Sequence, residues 1–91
     1  MDKRTFVNIL NQLNKNVPPY HSLSTEFGGI TIDRVRVNGI NEPVVALIYN
    51  RKVFGIADAF TIYIDKDSCN ASKRIAFILK KTCYYHEIVE L

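Results

Sequence analysis

Apolar residues recur at two different periods along this chain, and each change of period marks a change of element. Phe6, Ile9, Leu10, Leu13 and Val17 fall at helical spacing, which predicts an amphipathic first helix. Asp2 is placed to cap it, and Asn16 precedes the stop at Pro18-Pro19. The helix's other side holds Arg4, Asn8, Asn11, Gln12 and Lys15, a polar face rich in amides and poor in acids. From Val17 to Gly29 the period is lost, and Pro18, Pro19, Ser22, Ser24, Gly28 and Gly29 predict a loop.

A period of two begins at Ile30. Ile30 and Ile32 alternate in one phase and Val35 and Val37 in the other, with Asp33-Arg34 at the change. A bulge or bend there would return both sets to one core. Asn38-Gly39 predicts a turn ahead of Pro43, and the unbroken apolar run from Val44 to Tyr49 predicts a central strand. Asn50, Arg51 and Lys52 predict a hairpin connection into a strand over Val53 to Ala57, where Gly55 marks a bulge or a close backbone approach. Phe60, Ile62 and Ile64 then alternate with Thr61, Tyr63 and Asp65, the pattern of a strand with one wet face.

The helical period returns at Asn70 and predicts a last helix running to Leu91, with Asp67, Ser68 and Asn70 available to cap it. At about 100° per residue, Ile75, Ile78, Leu79, Thr82, Cys83 and His86 take the core side, with Ala71 and Ser72 at its start. The opposite side collects Lys73, Arg74, Lys80 and Lys81, with Phe77, Tyr84 and Ile88 between them. The expected fold is α+β in two layers: an N-terminal helix, a three- to four-stranded antiparallel meander and a C-terminal helix, both helices covering one face of the sheet.

Composition narrows the function classes. With 91 residues, 47% of them hydrophobic, the chain is expected to form a single domain over 1–91 with one core. A formal charge of +3 favours anionic partners without approaching a histone-like density. Cys69 and Cys83 stand too far apart for a disulfide framework or zinc site, so free thiols in a reducing cytoplasm are expected, with no cleaved leader and no membrane segment.

Candidate chemistry adds mostly exclusions. Asp65, Asp67 and Cys69 stand at the first, third and fifth positions of a calcium loop. That reading stops at Asn70, where glycine is needed, and at Ala76, where a bidentate carboxylate is needed. Cys83 and His86 are three apart on the predicted helix but face its core side with no third group beside them, and His21 is a lone loop histidine. No Gly-rich phosphate loop is present. The expectation is therefore a non-enzymatic protein with no catalytic residues, metal or cofactor.

The outer side of the last helix admits two readings. Long cationic side chains are ordinary on solvated helix faces. Cations interleaved with rings also suit a phosphate-bearing partner, giving charge for the backbone and flat surfaces for stacking. Lys73, Arg74, Phe77, Lys80, Lys81 and Tyr84 form that candidate nucleic-acid site, with Arg51 and Lys52 auxiliary and Asn11 and Gln12 available to a shallow groove.

Ile9-Leu10-Asn11-Gln12-Leu13 near the end of the first helix, and Ser72-Lys73-Arg74-Ile75-Ala76 opening the last one, are similar to elements of the double-stranded-RNA-binding domain. That resemblance implies a helix–sheet–helix fold in which Lys73 and Arg74 lie across phosphates. It also implies that Asn11 and Gln12 face a minor groove and that the turn from Asn38 to Glu42 enters a second one. Phe77 stands where the family carries a further lysine.

The expected partner is RNA, DNA or a host nucleic-acid enzyme. The alternative is an accessory or inhibitor of the kind mobile elements and phages carry, binding protein through Phe77, Tyr84 and Ile88 inside a rim of lysines. Homodimerisation through the same face is its variant.

Overall fold

The computed structural model describes residues 1–15, 25–27, 29–67, 70–82 and 85–91. Its elements are α1 (Lys3–Lys15), β1 (Thr25–Phe27), β2 (Ile30–Val35), β3 (Val44–Tyr49), β4 (Lys52–Asp58), β5 (Thr61–Ile64), α2 (Asn70–Thr82) and β6 (Glu87–Glu90). The strands form one sheet in sequence order, β1-β2-β3-β4-β5-β6. Neighbours are antiparallel from β1 to β5, and β6 pairs parallel to β5 after the chain crosses over through α2. The α+β class holds, while the sheet is larger than a three- to four-stranded meander and ends in a parallel strand.

Helix α1 starts where the sequence predicts. The Thr5 N–H donates to Asp2 Oδ1 at 2.7 Å, occupying one of the orphan donors of the first turn. Thirteen residues make a marginal helix in water, so burial of its apolar stripe must hold it. Phe6, Ile9, Leu10 and Leu13 are all buried, each contributing roughly 1.5–3 kcal/mol. Val17 and the prolines after it lie outside the described residues.

Two separate cores sit on the two faces of the sheet, which corrects the two-layer expectation. Phe6, Ile9, Leu10 and Leu13 of α1 pack with Val37, Ala46, Ile48, Val53 and Ile56. Ile75, Ala76 and Leu79 of α2 pack with Ile30, Leu47, Phe54, Ile62 and Ile64. Ala46 and Leu47 are adjacent on β3 and point to opposite faces, so the helices cover opposite sides of the sheet. The same fact explains β2, which runs against β3 from Ile30↔Tyr49 to Val35↔Val44 without a bulge. Its change of phase hands Ile30 and Ile32 to the α2 core and Val35 to the α1 core.

The bulge lies instead in the β3–β4 pair. Leu47 faces Gly55 and Ile48 faces Val53, which leaves Phe54 as the extra residue and lets it join the α2 core. A Cβ on Gly55 would stand 2.7 Å from the Tyr63 carbonyl oxygen, so glycine is required there. Asn50 and Arg51, with φ of 50° and 63°, close the β3–β4 hairpin as a two-residue turn with both central residues left-handed.

The last helix is the second correction, because α2 ends at Thr82. The sequence holds no glycine or proline stop there, and Thr82 Oγ1 donates back to the Ile78 carbonyl at 3.0 Å. What draws the following residues out is the open edge of β5. His86 N–H donates to the Phe60 carbonyl at 2.7 Å and Leu91 N–H to the Ile64 carbonyl at 2.9 Å, with Thr61↔Glu87 to Ile64↔Glu90 in register between them. Glu87-Ile88-Val89-Glu90 suits a strand on its own propensity, and a helix would leave that edge unpaired.

Candidate nucleic-acid interface

The inner side of α2 is narrower than a helix running to Leu91 would make it. Ile75, Ala76 and Leu79 are buried, whereas Ile78, expected in the core, is 46% exposed, and Thr82 is exposed as well. Phe77 is 52% exposed. Arg74, Phe77, Ile78 and Lys81 are related by three- and four-residue steps, so they form one contiguous outer patch with apolar groups at the centre and a cation at either end. Lys81 Nζ stands 4.7 Å from the centroid of the Phe77 ring, a cation–π contact at the surface.

Lys73 and Lys80 lie on the flank of α2 that faces β6. Lys73 Nζ approaches Glu90 Oε2 at 3.3 Å, both side chains being more than two-fifths exposed. Such a pair stabilises by a fraction of a kcal/mol to about 1 kcal/mol, and a phosphate can compete for the lysine. Helix α2 itself contains no Asp or Glu. The cations of α2 therefore have no carboxylate on their own helix, and Lys73 meets one from β6.

The remaining predicted site residues lie elsewhere. Arg51 occupies the β3–β4 turn and Lys52 opens β4. Asn11 is exposed on α1, in the opposite layer from α2. It shares with Lys52 an open groove of about 480 Å³, lined also by Asn14, Asn50, Asp65 and Asp67. The two carboxylates make that groove a poor phosphate cradle. Gln12 is half-buried, and its Oε1 accepts from the Asn38 N–H at 3.2 Å, fastening the turn that follows Val37 to α1. Asn11 and Gln12 therefore do not share a surface with Lys73 and Arg74. Tyr84 and Cys83 lie outside the described residues.

Two residues assigned to the last helix lie on or beside β6. Ile88 is half-buried against the α2 core and so does not lie with Phe77 on the outer face of α2. His86 is exposed, with its ring 5.1 Å from that of Phe60 and tilted 46° to it. Among the described residues no group of three His, Cys, Asp or Glu side chains is placed to hold a metal ion, and no helix is long and apolar enough to cross a membrane.

Sequence reasoning missed Asn14, Ile78, Arg34 and Tyr85. Asn14 Oδ1 accepts from the Val53 N–H at 2.8 Å, and its Nδ2 donates to the Val53 carbonyl at 3.3 Å. Those backbone groups point away from β3, and β5 pairs with β4 only from Gly55 onward, so the amide replaces a missing strand. Nothing in the linear pattern signals that need. Arg34 was visible as the polar break in β2, and Tyr85 was hidden by the helical reading of the chain's last third.

Compared with known proteins, the chain matches no protein-family model, no curated protein and no solved structure.

Proposed function

We propose that this protein is a non-enzymatic nucleic-acid-binding protein that engages its ligand through the outer face of α2. The observation that carries the reading is the patch itself: Arg74 and Lys81 bracket the exposed Phe77, and Lys73 and Lys80 stand on the adjoining flank. Cations on one side of one helix neutralise successive phosphates. The exposed ring gives a base or sugar a flat apolar surface. Arg51 and Lys52 lie on a separate hairpin and act as outlying contacts for a long ligand.

The test is a titration of labelled RNA and DNA, single-stranded and duplex, across salt. Three to four phosphate contacts give a log–log slope of roughly −2.7 to −3.6 on duplex DNA and a shallower one on single strands. Replacing Lys73, Arg74, Lys80 and Lys81 together by Ala flattens that slope. Unchanged binding by the four-alanine variant sinks the reading.

One observation favours a second reading, in which α2 binds another protein. Ile78 is an aliphatic side chain exposed beside Phe77, and it offers a phosphate or a base little. A partner enzyme that handles nucleic acid would cover both groups and meet the lysines at its rim. An Ile78→Ser variant that loses capture of a purified protein partner while oligonucleotide binding is unchanged would select it.

A further inference from the structure

We infer that the part of the α2 side of the sheet beside Tyr85, which α2 itself leaves open, is a slot for one unpaired nucleobase, which makes the ligand of this protein single-stranded. The inference rests on the proposed nucleic-acid reading and adds a second site to it. Arg34 and Val45 are cross-strand partners on β2 and β3, and Ile32 shares their face two residues away. Together with Tyr85 they line an open cavity of about 360 Å³, at the small end of the roughly 300–1,000 Å³ of ligand pockets. Asp33 also contributes to the lining, although strand alternation puts its side chain with Ala46 on the α1 side.

The chemistry of this slot differs from that of an ordinary exposed sheet. Ile32 and Val45 are half-buried and give a flat aliphatic floor, and the half-buried Tyr85 supplies an aromatic wall. Arg34 is exposed at the mouth, where its guanidinium can take a phosphate. A base lying between an aliphatic floor and a tyrosine ring is held by its faces, a mode open to all four bases. A base inside a duplex has both faces stacked already, so only an unpaired one can enter.

Position along the chain ties the slot to the basic helix. Lys80 and Lys81 occupy the last turn of α2, which ends at Thr82, and Tyr85 follows three residues later. The helix runs back along β5 from the Ile64 end toward the Thr61 end, where β4 and β3 bring Ala57 and Val45. A strand leaving the Lys80–Lys81 end of α2 therefore reaches the Arg34–Val45 end of the sheet. Arg34 adds a cation to that track.

The experiment measures fluorescence anisotropy with single-stranded RNA, single-stranded DNA and duplex oligonucleotides of about a dozen nucleotides, within the usual site sizes. The proteins are wild type, Tyr85→Ala, Tyr85→Phe, Arg34→Gln and Lys80→Ala/Lys81→Ala, each checked for its melting transition. Single strands bind tighter than duplex to the wild type. Tyr85→Ala weakens single-strand binding roughly five- to a hundredfold, the loss of one base–aromatic stack, and Tyr85→Phe stays within about twofold. Arg34→Gln lies on an exposed position and lowers the single-strand salt slope by about 0.7.

Tighter binding of duplex overturns the slot, as does a folded Tyr85→Ala variant that binds single strands like wild type. If Tyr85→Ala does not fold, an unchanged slope for Arg34→Gln overturns it instead. Loss of binding in the lysine variant with no effect at Tyr85 or Arg34 removes the slot and leaves the α2 reading standing. Absence of binding to any oligonucleotide at low salt removes both.

Discussion

The two helices of this protein have the same length and cover the two faces of one sheet, yet their polar sides have opposite uses. In α1 two polar side chains are fastened to backbone outside the helix, and the residue before the helix caps it. Gln12 holds Asn38, Asn14 holds both backbone groups of Val53, and Asp2 closes the first turn. In α2, Lys73 reaches Glu90, Lys81 lies over the Phe77 ring, and Thr82 donates to the helix's own Ile78 carbonyl. Phe77 and Ile78 stay about half exposed. An amide can complete a sheet because it is short and carries both a donor and an acceptor, whereas a lysine offers only donors. The lesson is that amphipathic patterning identifies a buried side but does not say whether the other side is structure or surface.

The comparison can be broken first at the cores. Leu13→Ala in α1 and Leu79→Ala in α2 remove side chains of 2% and 0% exposure, and each costs about 2–5 kcal/mol in urea unfolding. Equal losses show that both faces of the sheet are true cores. A Leu79 variant as stable as wild type would mean that α2 is not a structural layer.

The polar sides provide the next contrast. Asn14→Ala leaves the Val53 N–H and carbonyl without partners and costs about 1–3 kcal/mol. Lys80→Ala, at an exposed position of α2, changes stability by no more than about 0.5 kcal/mol. Similar losses at the two positions would erase the distinction between a stitched helix and a presenting one. The Lys73–Glu90 ion pair has a smaller effect still: a double-mutant cycle on the two residues gives a coupling of about a few tenths of a kcal/mol that vanishes with added salt.

The smallest effect belongs to the α1 cap and carries a pH signature. The Thr5 backbone N–H bonded to the Asp2 carboxylate, with the Thr5 side chain second, holds its pKa below the ordinary value of 3.8. The folded state therefore prefers the ionised form. The cap's contribution is complete above the unfolded-state pKa and is lost as pH falls through the lower folded-state pKa. Asp2→Asn melts slightly below wild type at neutral pH, and the two melting curves converge in acid below about pH 3.8. A gap that persists in strong acid would show that the cap does not depend on the carboxylate charge.

Much of the candidate interface was legible and some of it was not. Lys73, Arg74, Phe77, Lys80 and Lys81 lie on the outside of α2 as their spacing predicted, because a short helix needs only its own period to set its faces. The amide-rich face of α1 and the motif resemblance both join Asn11 and Gln12 to that surface, and the sheet places them in the other layer. Helical spacing puts Ile88 and His86 on helix faces, whereas Ile88 lies in β6 and His86 just before it.

The sequence by itself determined the local elements: the first helix and its cap, the central strand from Val44 to Tyr49, a short hairpin after it, though with Lys52 expected in the turn and found in β4, the constraint at Gly55 and the start of the last helix. Each follows from residues within a few positions of one another. Tertiary structure decided which side of the sheet each helix covers, because Ile30 and Val35 are equally apolar and their phases reveal a second core only once that core exists. It also decided that the residues after Thr82 end as a strand, because the free edge of β5 offers backbone partners that no local pattern announces. The Arg34–Tyr85 slot arises from the same two decisions, an α2 too narrow to cover the whole sheet and a chain that turns back beside it.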